Sequence, residues 1–314
     1  MVHPLPIPVG RTAIRPTWAE LPSGVRELIE RRLGNSVTGA VSQRSGYTPG
    51  FASRLTLADG SRAFVKAADG ATRGHFADTY REEIRKLQAL PAGIPAPLLR
   101  WSWDADGWVV LCLDDIAGSP PQRPWLGSEL RAAVDTVTAM SRLLTPAPDG
   151  LQLPTWREEL GDFPAYWERF DPQGEVAEHG EEIRELAQSG LIVGGGDTLV
   201  HCDLRDDNLI VDDAGKMWVC DWNWPVLGAE WVDLLTLLIS ARGDGHDVDA
   251  LLVANPLTCD VPSSDVDRVL ALLAVYFLGA KEGETPATSP WLRVHQRWYA
   301  NVTWSWFAER RGWR

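Results

Sequence analysis

Apolar residues in the first third of the chain recur at two spacings, one typical of helices and one typical of strands. Residues 21–33 carry apolar side chains on one helical face, which predicts a helix, and residues 78–90 repeat the pattern. The Asp59-Gly60 pair stands between two apolar runs and is a hairpin signal. A short run over 37–41 leads into a polar turn, and apolar runs predict strands over the following ranges: 51–57, 62–67 and 108–113.

Beyond residue 128 the helical spacing dominates, apart from one stretch that begins at residue 199. The apolar run over 265–278 has the length of a core helix and is too short for a membrane span. Tryptophans recur at roughly helical spacing over 291–306. This pattern favours a helix whose tryptophan face packs in the core over one whose tryptophan face binds a ligand. Residues 1–20 are rich in proline and predict an irregular leader. The predicted helices cover these ranges: 128–144, 155–170, 178–188, 231–240, 265–278 and 291–306.

The stretch that begins at Leu199 combines strand-like apolar runs with closely spaced polar residues. It reads LVHCDLRDDNLIVDDAGKMWVCDW. Asn208 follows Asp203 by five residues, and Asp221 follows Asn208 by thirteen. Two apolar runs around an Asp-Gly-rich turn predict a hairpin that brings Asn208 and Asp221 together. A carboxylate can orient a hydroxyl and accept its proton, and amide and carboxylate oxygens suit Mg²⁺. The pattern therefore predicts phosphoryl transfer; the alternative is that these acids decorate surface turns.

The H-x-D-x4-N pattern followed by Asp-Trp resembles the catalytic loop and metal-binding segment of the aminoglycoside phosphotransferase (APH) family, the small-molecule branch of the protein-kinase-like fold. The resemblance implies an α+β, two-lobe fold. A small lobe with an antiparallel sheet would cover residues 1–113, a hinge 114–118, and a larger, mostly helical catalytic lobe 119–314. ATP would lie between the lobes and the acceptor over Asp203, which serves as the base.

The resemblance also implies ligands for the nucleotide and the metal. Asn208 and Asp221 correspond to the Mg²⁺ ligands, and Lys66, in Ala63-Phe64-Val65-Lys66, to the lysine that holds the ATP phosphates. Glu83, in the pattern E-x3-L-x2-L, would fix Lys66, although Glu82 competes for that role. The alternatives are a surface lysine at a strand end and solvated helix acids.

Three further parts of the nucleotide site are expected with less detail. In the hinge, Asp114 would offer its carbonyl and Ile116 its amide to the adenine. The segment 42–50 stands where the family has a nucleotide-covering loop. Its glycines depart from a G-x-G-x-x-G pattern, so only the location of the loop is predicted.

The remaining polar residues of the catalytic stretch have competing interpretations. Arg205 could act in catalysis by compensating charge on the γ-phosphoryl group, because a guanidinium matches phosphate geometry. It could instead form a salt bridge to Asp206, Asp207 or Asp212. His201 is expected to brace the loop, and Asp233 to anchor its backbone, both as structural residues.

Composition narrows the class of protein and its partners. The chain has 314 residues and a net charge of −13, which argues against a nucleic-acid partner. No basic start precedes an apolar core at the N-terminus, and no apolar run approaches a membrane span, so a cytoplasmic protein is expected. The four cysteines are scattered and read as reduced thiols, with no disulfide frame or zinc site. The oligomeric state is left open.

The resulting expectation is an ATP- and Mg²⁺-dependent O-phosphotransferase that acts on a hydroxylated small molecule. An antibiotic is one candidate acceptor, as in resistance or self-resistance kinases. The alternatives are a metabolite kinase of the sugar, choline or amino-alcohol type, and an inactive ATP-binding pseudokinase. The intact set of Lys66, Asp203, Asn208 and Asp221 argues against the pseudokinase.

Overall fold

A five-stranded antiparallel sheet forms the small lobe of this protein in a computed structural model that describes residues 2–8, 10–71 and 74–314. The strands follow the order β1-β2-β3-β5-β4 across the sheet. Their bounds are β1 Val37–Ser42, β2 Phe51–Leu57, β3 Arg62–Asp69, β4 Leu99–Ala105 and β5 Trp108–Leu113. Gly60, at φ +83°, turns the chain between β2 and β3, as the hairpin signal predicts.

Two helices cover opposite faces of this sheet, and the alternation of side chains in β3 decides what each helix meets. Helix α1 (Ser23–Leu33) packs with Ala63, Val65 and Ala67, whereas α2 (Gly74–Ala89) packs with Phe64 and Ala68. Since alternate residues of a strand face opposite sides, Lys66 faces α2.

Sequence patterns predict β2, β3 and β5, assign no element type to the run that forms β1, and miss β4. In β4, Trp101 and Trp103 are partly buried and pack with the residues beneath α1, while Ser102 lies between them. This alternation is the mark of a half-buried strand. Among the described residues, β4 pairs with β5 alone and so forms an edge of the sheet.

The large lobe is mostly helical and carries two small sheets. Strands β6 (Gly118–Ser119), β8 (Leu209–Asp212) and β9 (Met217–Val219) form one, and β7 (Thr198–Val200) pairs with β10 (Val226–Gly228) in the other. The helices are α3 Gly127–Leu143, α4 Trp156–Glu159, α5 Glu175–Glu178, α6 Gly180–Val193, α7 Val232–Gly243, α8 Val248–Ala254, α9 Ser263–Ala280 and α10 Leu292–Arg310.

The prediction of one continuous helix over 155–170 is wrong. Helix α4 stops at Glu159, and a 3-10 helix over Phe163–Arg169 follows a break at Gly161 and Asp162. A Cβ at Gly161 would lie 2.9 Å from the Arg157 carbonyl, so this tight turn requires glycine. The short helix α8 was also missed.

The tryptophan stripe of α10 belongs to the core, as expected. Trp298 and Trp306 are buried, and their indole N–H groups donate to the His3 carbonyl at 2.8 Å and to Asp249 at 3.1 Å. Across the described residues, no helix has the length and apolarity to span a bilayer.

The leader is irregular over the described residues 2–8 and 10–17, as predicted, but it ends in a 3-10 helix over Trp18–Glu20. Its described residues contact the large lobe. The His3 amide donates to the Gly243 carbonyl at 2.7 Å, and the Ile14 amide donates to the Thr288 carbonyl at 2.8 Å. The leader belongs to the N-terminal range 1–113 but contacts the large lobe, so the chain does not divide cleanly by contacts. We propose the division into a nucleotide-binding lobe (1–113), a hinge (114–118) and a catalytic lobe (119–314) as a division of function.

Candidate active site

The catalytic stretch is fixed through its backbone by Asp233, at the start of α7. The Asp233 carboxylate accepts hydrogen bonds from the amides of His201 at 2.6 Å and Cys202 at 3.0 Å. Cys202 has φ +67°, a conformation that costs a non-glycine residue energy and needs such support. The structural role expected of Asp233 is therefore confirmed.

His201 braces the same loop from within the core. Its Nε2 lies 2.8 Å from the Cys220 carbonyl, and its ring packs edge-on against Trp222. Burial lowers the pKa of His201, which keeps the ring neutral. The ring thus joins the segments before Asp203 and before Asp221, which is the bracing role that the sequence predicts.

Asp203 lies at the end of this braced loop, with its side chain 31% exposed. Arg205 pairs with one of its oxygens, and the Asn208 Nδ2 donates to its carbonyl at 2.8 Å and to its other oxygen at 3.3 Å. Burial raises the pKa of Asp203 to about 6, although Arg205 acts against the rise. A carboxylate with a pKa near 6 is ionised at neutral pH and well matched to accept a proton.

Arg205 bridges two carboxylates. It pairs with Asp203 and also with Asp207, at 2.9 Å from Nε to Oδ1. Of the three salt-bridge partners considered from the sequence, only Asp207 pairs with it. Asp206 pairs with Arg123 at 2.7 Å, and Asp212 accepts hydrogen bonds within its own hairpin. This geometry shows that Arg205 forms salt bridges within its own loop. A contact of Arg205 with a phosphoryl group stays a prediction.

Lys66 joins the two lobes. Its Nζ lies 2.8 Å from both carboxylate oxygens of Glu83 on α2 and 2.8 Å from Oδ1 of Asp221. Glu83 is 1% exposed, whereas Glu82 pairs with Arg85 on the helix surface, so the choice between the two glutamates falls on Glu83. The surface-lysine alternative is wrong, because the Lys66 side chain is only 12% exposed.

Asp221 follows β9 in the left-handed conformation, with φ +65°. Burial favours its neutral form, but the Lys66 ammonium holds the pKa of Asp221 below its usual value. Asp221 therefore stays ionised. Its neighbour Cys220 donates its amide to the Asn208 carbonyl at 2.9 Å, which ties together the ends of the predicted hairpin.

The donor set around Asn208 and Asp221 fits a magnesium ion shared with a nucleotide. Within the described residues, no group of three or more His, Cys, Asp or Glu side chains could hold a metal by itself. Mg²⁺ usually takes one or two protein ligands and completes its shell with waters and phosphates. The Asn208 Nδ2 is engaged by Asp203, so its Oδ1 remains the donor for a cation.

A cavity of about 230 Å³ lies between the lobes, and we call it the hinge cavity. Its lining includes Lys66, Glu83, Asn208 and Asp221, together with residues 113–116. The hinge itself is anchored by Asp115, whose buried carboxylate pairs with Arg54 at 3.0 Å and with Arg62.

The backbone hydrogen bonds at Asp114 and Ile116 are compatible with the adenine contacts expected of these two residues. Asp114 uses its amide on the Leu98 carbonyl at 2.9 Å, and the Ile116 carbonyl accepts from Arg54 at 2.8 Å. The groups not used in these bonds are the Asp114 carbonyl and the Ile116 amide. Their pairing with adenine stays a prediction.

The loop over 43–50 borders the hinge cavity and is held by the leader. The Arg15 guanidinium donates to the carbonyls of Ser45 and Gly50, each at 3.1 Å, and lines the cavity. Thr12 donates its amide to the Arg44 carbonyl at 2.8 Å. Sequence reasoning missed Arg15, because nothing in a proline-rich leader indicates which residue contacts a loop some thirty positions later.

A second cavity, of about 480 Å³, also reaches Asp221 and is lined largely by aromatic side chains, and we call it the aromatic cavity. Asp203 and Arg205 line it, together with Tyr47 of the loop over 43–50. Asp221 lines both cavities. A group bound in the hinge cavity and one bound in the aromatic cavity would therefore meet at Asp221, beside Asp203.

Comparison with known protein families identifies the chain. Residues 50–261 match the model of the APH phosphotransferase enzyme family. The chain belongs to this family. The matched residues include Lys66, Glu83, Asp203, Asn208 and Asp221, so the family covers both halves of the site. No curated protein shows significant sequence similarity to this APH family member.

Solved structures share the fold of this APH family member at low sequence identity. One is an aminoglycoside phosphotransferase in ternary complex with ADP and hygromycin B, with TM-score 0.62, 12% identity, and coverage of 90% of this chain and 99% of the other. Another is choline kinase LicA from Streptococcus pneumoniae, with TM-score 0.58, 16% identity, and coverage of 90% and 100%. The expected α+β, protein-kinase-like fold is confirmed.

Proposed function

We propose that this protein is an ATP-dependent O-phosphotransferase that moves the γ-phosphate of ATP to a hydroxyl of a small molecule. The observation that carries the proposal is the meeting of the hinge and aromatic cavities at Asp221, beside Asp203. Lys66 and Asn208 line only the first cavity, and Asp203 lines only the second. This division matches a nucleotide on one side and a hydroxylated acceptor on the other.

In the proposed reaction, Asp203 orients the acceptor hydroxyl and accepts its proton as the oxygen attacks the γ-phosphorus. ADP leaves, and the acceptor becomes a phosphomonoester. Lys66, held by Glu83 and Asp221, binds the α- and β-phosphates. Mg²⁺, when bound by Asn208 and Asp221, neutralises phosphate charge. Positioning and charge stabilisation supply most of the rate enhancement in such a transfer.

The class of acceptor is open between two proposals. Among structures of similar fold, one binds hygromycin B and another is a choline kinase, so both an antibiotic kinase and a metabolite kinase fit the fold. A pseudokinase is disfavoured, because Lys66, Glu83 and Asp221 are already in ion-pair contact.

Two measurements test the proposal. Thermal unfolding in ATP with Mg²⁺ should show a higher Tm than unfolding in ATP with EDTA, because a ligand that binds only the folded state stabilises it. ADP release should then rise with a hydroxylated acceptor and fall in the Asp203→Asn variant. Equal Tm in all nucleotide conditions, with no acceptor-dependent ADP release, would overturn the assignment.

A further inference from the structure

The wall of the aromatic cavity is a continuous series of rings. Phe163 stacks on Tyr276, with centroids 4.0 Å apart and planes at 10°, and Tyr276 contacts Phe277 at 5.0 Å. The series continues through Phe277 and Tyr299 at 5.1 Å, and through Tyr299 and His295 at 4.5 Å. Rings that support one another in this way form a preformed apolar surface.

The loop over 43–50 extends this series of rings from the other lobe. The Tyr47 ring lies 4.7 Å from the His295 ring, and the Ser289 hydroxyl donates to the Tyr47 carbonyl at 2.5 Å. Trp156 and Trp224 add two more large aromatic side chains to the lining. Trp224 is 42% exposed, which is unusual for tryptophan and places an apolar ring within reach of an incoming molecule.

The ionisable rings of this wall are neutral at physiological pH. Burial lowers the pKa of His295 to about 3 and raises the pKa of Tyr276 to about 12. The cavity therefore presents uncharged surface over most of its lining.

Carboxylates available to a cationic acceptor are few. Three line the cavity, but Asp203 pairs with Arg205, and Asp221 pairs with Lys66. Among the described residues of the lining, Glu159 is the one carboxylate that forms no salt bridge, although the Lys86 ammonium interacts with it over a longer distance. A molecule with several ammonium groups would bury charges that no carboxylate matches, which is costly.

We infer that the acceptor of this enzyme is a hydroxylated compound with an extended apolar ring system and at most one positive charge, which Glu159 would meet. The inference rests on the proposed phosphotransferase function. It excludes polycationic aminoglycosides as the preferred acceptors. It also disfavours choline-sized cations, which would leave most of the 480 Å³ cavity and its long wall uncovered.

Several of the deciding residues lie outside the region that the family model matches. Tyr276 and Phe277 stand on α9, His295 and Tyr299 stand on α10, and the matched region ends at residue 261. The family model therefore does not describe these four residues of the wall.

Calorimetric titration of the full-length protein with four probes tests the inference. Quercetin is a neutral aromatic polyol, propranolol carries an aryl ring, a hydroxyl and one amine, kanamycin is a polycation, and choline is a small cation. At least one ring compound should bind with a Kd below about 1 mM and at least about tenfold more tightly than kanamycin and choline. Binding of neither ring compound, or tighter binding of kanamycin or choline, overturns the inference.

Matched variants separate the wall from a non-specific apolar surface. Tyr276→Ala should weaken the ring compound about tenfold, whereas Tyr276→Phe, which keeps the ring, should leave its Kd within about twofold. If Tyr276→Ala binds as tightly as the wild type, the wall does not determine specificity and the inference fails.

Phosphate transfer distinguishes this inference from the function on which it rests. Phosphorylation of kanamycin in preference to both ring compounds would support the phosphotransferase and overturn the acceptor class. Ring-compound binding that is lost in Tyr276→Ala, without transfer from Mg-ATP, would support the acceptor class and count against the phosphotransferase.

Discussion

Replacement of Asp203 by asparagine should remove most turnover and, at neutral pH, stabilise the fold. In the folded protein the pKa of Asp203 rises from 3.8 to about 6, because burial disfavours its charged form. A raised acid pKa means that ionised Asp203 destabilises the native state. The full difference corresponds to about 3 kcal/mol, and partial exposure of the side chain reduces it to about 1 to 2 kcal/mol.

The size of this effect depends on pH, and it changes between about pH 4 and pH 6. Below about pH 4 the carboxyl is protonated in both the folded and unfolded states, so Asp203→Asn should have no advantage from this source. Between pH 4 and 6 the unfolded chain loses the proton first, and the advantage of the variant should grow. Above about pH 6 it should be constant.

The assay is urea unfolding of wild type and variant at pH 4 and pH 7.5, together with turnover and Mg-ATP affinity. Turnover should fall about 100- to 10,000-fold with nearly unchanged Mg-ATP affinity, because a positioned base is lost. The matched control is Asp207→Asn, which should destabilise the fold, since Arg205 holds the pKa of Asp207 below its usual value despite burial. A folded Asp203→Asn variant that turns over normally, or that is less stable than wild type at pH 7.5, would refute the reasoning.

Three further substitutions have specific expected outcomes. Asp221→Ala should weaken Mg-ATP binding as well as turnover, and unchanged affinity by calorimetry would remove Asp221 as a principal ligand. Arg205→Ala should lower kcat more than it changes KM and move the acidic limb of the pH profile upward, since Arg205 lowers the pKa of Asp203. Arg205→Lys should recover part of the loss in kcat. If Arg205→Ala has a normal kcat but a lower Tm, Arg205 acts only through its salt bridges. Arg15→Ala should raise the KM for ATP about tenfold, because two loop carbonyls lose a charged donor. The exposed control Arg11→Ala should leave that KM unchanged.

The parts predicted correctly from the sequence depend on local signals. The β2–β3 hairpin follows from Asp59-Gly60, and β5 follows from an uninterrupted apolar run. The contact of Lys66 with Asp221 joins residues 155 positions apart, yet both were selected because each stands at a recognisable point of a local motif.

The parts that could not be predicted depend on contacts between distant segments. Arg15 acts on a loop carbonyl 35 positions away, and Tyr47 meets His295 from the opposite lobe. The helix expected over 155–170 breaks because Gly161 permits a tight turn, which helical periodicity does not reveal. The aromatic cavity draws its rings from both lobes and several helices, so no local pattern of the sequence describes it.

The most direct test of the central claim is to identify the product by phosphorus NMR and mass spectrometry after incubation with Mg-ATP and an acceptor that binds. The account predicts one phosphomonoester on an acceptor hydroxyl for each ADP released, and loss of that product in Asp203→Asn. ADP formation without a phosphorylated acceptor, or equal product from the wild type and the folded Asp203→Asn variant, would contradict it.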